Sequence, residues 1–173
     1  MIVLGVDPSC RSTGYGVIEQ GERNSLALVD YGAIPVPAAT SLPETLHRIY
    51  IKIESIIAEF KPDVMALEAV FYAQNVRSAI RLGAVRGVVM LAARSSEVPV
   101  FEHAATEIKL AVAGFGRASK ESVQKMVKVA LGLKEVPTPN DAADALAAAI
   151  CHLNTAKLRE KISSSVGKRM SVK

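Results

Sequence analysis

Two short apolar runs in this chain each end in a carboxylate. The first is Met1-Ile-Val-Leu-Gly-Val-Asp7, followed by the turn-rich stretch Pro8-Ser-Cys-Arg-Ser-Thr-Gly14-Tyr-Gly16-Val-Ile18. The second is Val64-Met-Ala-Leu-Glu68. An unbroken apolar run suits a strand buried on both faces, so Asp7 is expected where a central strand leaves the core. A charge at that point is costly unless it is paired or binds a metal. Any fold the chain adopts has to bring something to meet these acids.

Taken in order, residues 2–7, about 13–20 and about 24–34 predict three strands. A turn at Gly21-Glu-Arg-Asn24 and short connections imply antiparallel neighbours. A loop from Pro35 to Pro43 precedes a helix from Leu42 to about Phe60, with Leu46, Ile49, Ile53, Ile56, Ile57 and Phe60 on one stripe. Lys61-Pro62-Asp63 stops it. A strand, crossover helix and strand make a parallel pair, which predicts that Val64–Glu68 lies beside the first strand with both acids at one sheet edge. A helix from about Asn75 to Ser95 follows, then an edge strand at Val98–Glu102, where Pro99 excludes a central position. Helices over about 104–113 and 120–132 come next, the latter capped by Ser119, and a last alanine-rich helix runs from Asp141 to about Lys157, capped by Asn140. Residues 1–157 read as one domain and 158–173 as a basic, disordered tail.

Half of the 173 residues are hydrophobic, enough for one substantial core. No apolar run is long enough to cross a bilayer, and no basic segment precedes an apolar stretch at the N-terminus. Cys10 and Cys151 form neither a disulfide framework nor a metal-ligand spacing. The expectation is a cytoplasmic protein with reduced thiols. The net charge of +4 hides an uneven distribution. Residues 1–76 carry nine acids against five Lys or Arg, 77–128 carry nine Lys or Arg against four acids, and 157–173 carry six against one. A basic face beside an acidic pocket is the charge layout of a nuclease, although solvated helix faces would give the same count.

Asp141 and Asp144 stand three apart, on one face of the last helix. Alone, they are most simply a solvated helix start favoured by the macrodipole. Combined with Asp7 and Glu68 they become a constellation. Four converging carboxylates raise one another's pKa, and hard divalent cations that prefer oxygen, Mg²⁺ above all, resolve the repulsion. Two such ions about 4 Å apart can clamp the attacking water and the leaving oxygen of a phosphodiester. His47, His103 and His152 read as structural or surface residues.

The segments LGVDPSCRSTGYGV at 4–17, ALEAVFYAQN at 66–75, SAIRLGAVRGV at 78–88 and NDAADALAAAI at 140–150 resemble the RuvC family of Holliday-junction resolvases, and the match covers about residues 2–155. The resemblance implies a ribonuclease-H-like α/β fold, a five-stranded mixed sheet flanked by helices on both faces. It implies a homodimer that cuts four-way DNA junctions by paired nicks, in recombination and repair, alongside the branch-migration proteins RuvA and RuvB. Asp7, Glu68, Asp141 and Asp144 fall on the family's metal-binding acids, for two Mg²⁺ per site with Mn²⁺ as a substitute. Phe71 matches an aromatic that stacks on a base at the opened junction, and Lys109 and Lys120 match basic residues near the scissile phosphate. Ser9-Cys10 departs from the family's more usual Gly-Ser.

Read without the family, Phe71 and Tyr72 would be packing residues and Lys109 part of a solvated face. Lys120 is different, since a cation at a helix start opposes the dipole and so suggests phosphate binding or charge stabilisation. Arg77 and Arg117 are candidate phosphate contacts. Ala79, Gly83 and Gly87 form a smooth stripe that could pack on the chain's own sheet or on a partner's helix; the resemblance favours the partner. Two rival functions share parts of this pattern. An actin-like or sugar kinase needs a second domain, another Asp-x-Gly loop and an adenosine-binding glycine pair, none of which is present. A non-catalytic DNA-binding module would use only the basic face.

Overall fold

The computed structural model describes residues 1–69 and 76–170, without the side chains of Asn24 and of 157–170. Its centre is β1 (Ile2–Asp7), the middle strand of a five-stranded sheet ordered β3-β2-β1-β4-β5. β1 pairs antiparallel with β2 (Ser12–Gln20), which pairs antiparallel with β3 (Leu26–Pro35). On its other side β1 runs parallel to β4 (Val64–Ala69), and β4 runs parallel to β5 (Val100–Ala104). The parallel step is bridged by α1 (Leu42–Phe60), whose start is capped by the Ser41 hydroxyl accepting from Glu44 N and whose end turns left-handed at Lys61 before Pro62.

Helices cover both faces. On one side α1 and α2 (Val76–Ser95) bury Ile49, Ile53, Val85 and Val89 against Leu4, Val6, Met65 and Leu67. On the other, α3 (Ala105–Ala113), α4 (Lys120–Ala130) and α5 (Asn140–Met170) enclose Val3, Ile18 and Ala66. This is the α/β arrangement expected, with a mixed sheet between two helical layers.

The glycines of the first two strands explain why α5 is rich in alanine. A Cβ on Gly5 would lie 1.9 Å from the Ala145 carbonyl oxygen, and one on Gly14 would lie 2.0 Å from that of Asp141. A Cβ on Gly16 would meet the Leu146 side chain at 2.5 Å. The backbone of α5 rests directly on β1 and β2, a closeness that only small residues on both sides permit. Ala142, Ala143, Ala145 and Ala147–Ala149 are all buried there.

Two boundaries differ from expectation. The fifth strand begins at Val100 rather than Val98, because Val98 turns into the core and the Pro99 carbonyl accepts from Met65 N before the ladder starts. It is an edge strand, as its proline required. The last helix continues to Met170, past its expected end at about Lys157, so residues 158–170 have helical backbone. Lys157-Leu-Arg-Glu-Lys161 is a run of strong helix formers, and neither proline nor glycine interrupts the chain until Gly167.

Candidate active site

Strand parity decides which layer each acid meets. In β1, Val3 and Gly5 face α5 while Leu4 and Val6 face α1 and α2, so Asp7 continues on the α5 side. In β4, Ala66 faces α5 while Met65 and Leu67 face the other layer, so Glu68 also looks toward α5. The β1–β4 ladder ends at Val6 and Leu67. Asp7 and Glu68 therefore stand where the two central parallel strands part. From above, the first two turns of α5 supply Asp141 and Asp144, seated against Gly14, the residue paired with Asp7 in β2.

The charges interact as this placement requires. Burial, followed by the fields of Asp144, Glu68 and Asp141, pushes the Asp7 carboxyl up to about 7. Glu68 is also raised, first by burial and then by Asp144, with Lys109, Lys120 and Arg86 acting against it. Lys120, in the first turn of α4, places its Nζ 2.6 Å from Asp144 Oδ2, and this bond holds its ammonium above the ordinary lysine range. The misplaced cation at the start of α4 is thus answered by the second aspartate of α5. A cavity of about 230 Å³ opens among Glu68, Lys109, Lys120 and Asp144, with Ile108 and Ala147 in its wall. A larger one, about 520 Å³, lies by the β1–β2 turn between Cys10, Arg11 and Arg81; no acid lines it.

The turn after Asp7 is fixed by a reciprocal latch that the sequence reading missed. The fully buried Thr13 donates its hydroxyl to the Ser9 carbonyl at 2.9 Å and accepts from Ser9 N at 3.2 Å. A threonine at the start of a strand gives no sign of this until the hairpin closes. The latch holds the Ser9-Cys10 turn without help from a glycine.

Of the residues singled out in the sequence, Asp7, Glu68, Asp141, Asp144, Lys109 and Lys120 come together. Arg117 is exposed in the loop between α3 and α4, and Arg77 is exposed in the first turn of α2. Phe71 lies outside the described residues. His103 and His152 form a buried pair, Nε2 to Nδ1 at 3.2 Å, joining β5 to α5. Among the described residues no three His, Cys, Asp or Glu side chains are gathered tightly enough to cage an ion as they stand. The positive charge in the pocket comes from Lys109 and Lys120, and Lys120 alone forms an ion pair there with an acid of the cluster.

Asp7 makes the pocket a pH-dependent load on the fold. Its proton is held to about pH 7 in the folded chain but only to about 3.8 when unfolded. The favourable contribution is full below about pH 4 and is lost as pH rises through 7, by at most about 4 kcal/mol. Thermal melts in EDTA should therefore show Asp7→Asn gaining on the parent chain between pH 4 and 7 and levelling off above; a difference independent of pH would contradict this.

The family model for crossover junction endodeoxyribonuclease RuvC matches residues 3–152. A crossover junction endodeoxyribonuclease RuvC from Desulfitobacterium hafniense is 44% identical over 166 residues, covering 96% of this chain and all of the relative. That from Trichlorobacter lovleyi is 47% identical over 167 residues, 96% of this chain and 92% of the relative. Among solved structures, Thermus thermophilus RuvC in complex with a Holliday junction substrate superposes with a TM-score of 0.87 at 33% identity, over 91% of this chain and 96% of that one. The yeast mitochondrial resolvase Ydc2, at 13% identity and a TM-score of 0.68, shares the fold. With acids, sheet order and near full-length similarity agreeing, the chain belongs to the RuvC family of crossover junction endodeoxyribonucleases.

Proposed function

We propose that this chain is a divalent-metal-dependent endonuclease that resolves four-way DNA junctions by paired, symmetric nicks. The observation that carries the proposal is the meeting of Asp7, Glu68 and Asp144 with Lys120 and Lys109 around one cleft at the parting of β1 and β4. The donor set is all hard carboxylate oxygen, with too little positive charge for four acids, which suits Mg²⁺ and admits Mn²⁺. Asp7, Glu68, Asp141 and Asp144 would hold two ions. When bound, these supply Lewis acidity to the phosphodiester and to its attacking water.

The chain's own residues do the rest. Glu68, raised by burial, is suited to orient the water and accept a hydrogen bond from it. The water oxygen forms a bond to phosphorus, the bond from phosphorus to the 3′-oxygen breaks, and the products are a 3′-hydroxyl and a 5′-phosphate. Lys120 and Lys109 face the negative charge that grows on the phosphoryl oxygens. Arg77 and Arg117 are proposed to hold flanking phosphates, and Phe71 to stack on a base near the exchange point. Residues 1–157 form the nuclease unit of this reading, and recombination and repair, with RuvA and RuvB, are its setting.

A twofold junction needs two cutters, and α2 offers a surface for pairing. Its inner face buries Val85, Val89, Ala92 and Ala93, yet Val76, Ile80 and Leu91 are exposed on the opposite side. Among the described residues, a Cβ on Gly83 or Gly87 would meet nothing within 4 Å, which leaves this side of the helix room for a close neighbour. The stripe faces away from its own sheet and fits the same helix of a second copy in an isologous dimer.

The direct test is incubation with an end-labelled four-way junction and Mg²⁺, against a linear duplex of the same sequence. Nicks at symmetric positions in two opposed strands, sealable by ligase, are expected on the junction alone. Equal cutting of the duplex, or none of either substrate, would refute the proposal.

A further inference from the structure

Arg86 reaches the acid cluster from behind the sheet. It lies on α2, in the layer opposite α5, and its side chain is only 13% exposed. Its Nη1 donates to the main-chain carbonyl of Glu68 at 2.5 Å. Its Nη2 lies 2.9 Å from Glu102 Oε1, a charge contact whose angle falls short of a hydrogen bond. Glu102 belongs to β5 and shares the α2 side of the sheet with Val100, whereas the Glu68 carboxylate points to α5. One guanidinium thus fastens the backbone of β4 at the residue just beyond its last pairing with β1, and fastens it to the neighbouring strand.

The position matters because Glu68 has lost the restraint its predecessors enjoy. From Val64 to Leu67 the strand is held by β1 on one side, and at Glu68 that ladder stops. A planar fork with several fixed donors can hold a carbonyl and a carboxylate together, which an ammonium does not. Arg86 also acts electrostatically, as one of the cations that draw the Glu68 carboxyl toward its charged form. The same helix carries the outward stripe of Ile80 and Leu91, so α2 links the pairing surface to one of the four acids.

We infer that Arg86 is a positioning residue that sets the Glu68 carboxylate for metal binding from the far side of the sheet. The inference rests on Glu68 being a metal-holding acid, as in the proposed function. Three readouts separate it from a merely structural role: Mn²⁺ affinity of the DNA-free protein by electron paramagnetic resonance, the Mg²⁺ midpoint of single-turnover nicking, and junction affinity in EDTA. Arg86→Gln should weaken Mn²⁺ binding roughly 10–100-fold and raise the Mg²⁺ midpoint in step, with junction affinity within about threefold. Arg86→Lys should fall between, because an ammonium does not hold the Glu68 carbonyl and the Glu102 carboxylate together. Should Arg86→Gln lose its melting transition, Arg86→Lys carries the same expectation.

Unchanged Mn²⁺ affinity in a folded Arg86 variant would overturn the inference, however far its melting temperature fell. Glu68→Gln tells the two failures apart. If it weakens Mn²⁺ binding and the Arg86 variants do not, only the inference is lost. If it too leaves Mn²⁺ binding unchanged, the assignment of Glu68 as a ligand fails with it.

Discussion

Asp7→Asn is expected to leave a protein that grips a four-way junction in EDTA as tightly as its parent and does not nick it. The asparagine keeps the shape of the side chain and removes the charge at the centre of the acid cluster, where Asp144, Glu68 and Asp141 all act on it. Loss of an outer-shell partner typically costs 10–100-fold, so loss of an oxygen that the proposed function places on the metal should cost at least about 10³-fold in nicking. The metal-free variant should also be more stable than its parent above pH 7, because the buried charge that burial and three acids oppose has gone. Falling activity with rising stability is the signature of a functional charge rather than a structural one. Nicking within tenfold of the parent would remove Asp7 from the mechanism.

Gly14→Ala should do comparable damage without touching an acid. Its new Cβ would sit 2.0 Å from the Asp141 carbonyl oxygen and 2.8 Å from Ala142 N, both main-chain atoms that no rotamer change can move aside. The first turn of α5 must lift away from β2, taking Asp141 and Asp144 with it. Such overpacking costs about 3 kcal/mol or more, roughly 10 °C in melting temperature for a chain of this size. Nicking should fall to near background, since a displacement of about 1 Å at a reacting centre can cost 10²-fold. Gly116→Ala is the control: its Cβ would meet only Thr106, with the carbonyl oxygen at 3.4 Å, an ordinary contact away from the pairing helix. Equal stability of the two variants would show that the seam between α5 and the hairpin yields.

Much of this was legible in the residues because each signal was local. An apolar run that stops at a carboxylate declares a strand leaving a core, and Asp7 and Glu68 do so in strands that prove to be parallel neighbours. An i, i+3 pair in the first turns of one helix placed Asp141 and Asp144 together. The alanines of α5 were visible as composition, but their cause, glycine backbones at Gly5, Gly14 and Gly16 pressed against the helix, exists only once distant segments meet. Arg86 looked like one basic residue among several along α2. Its contacts with Glu68 and Glu102 depend on a sheet edge and a helix azimuth that no spacing encodes. The His103–His152 pair joins two elements 49 residues apart, and neither residue signals the other in the sequence.

The seating of α5 on β1 and β2 also orders events in time. Asp7 and Asp141 lie 134 residues apart in the sequence, so during synthesis the strand that carries the first acid exists long before the helix that carries the last two. Until that helix docks, Val3, Ile18 and Ala66 lack their cover on one side of the sheet, and the strand ends carry their acids without Asp141 and Asp144 beside them. Docking of α5 is thereby one event with two results: it seals the core and it brings the four acids to one place.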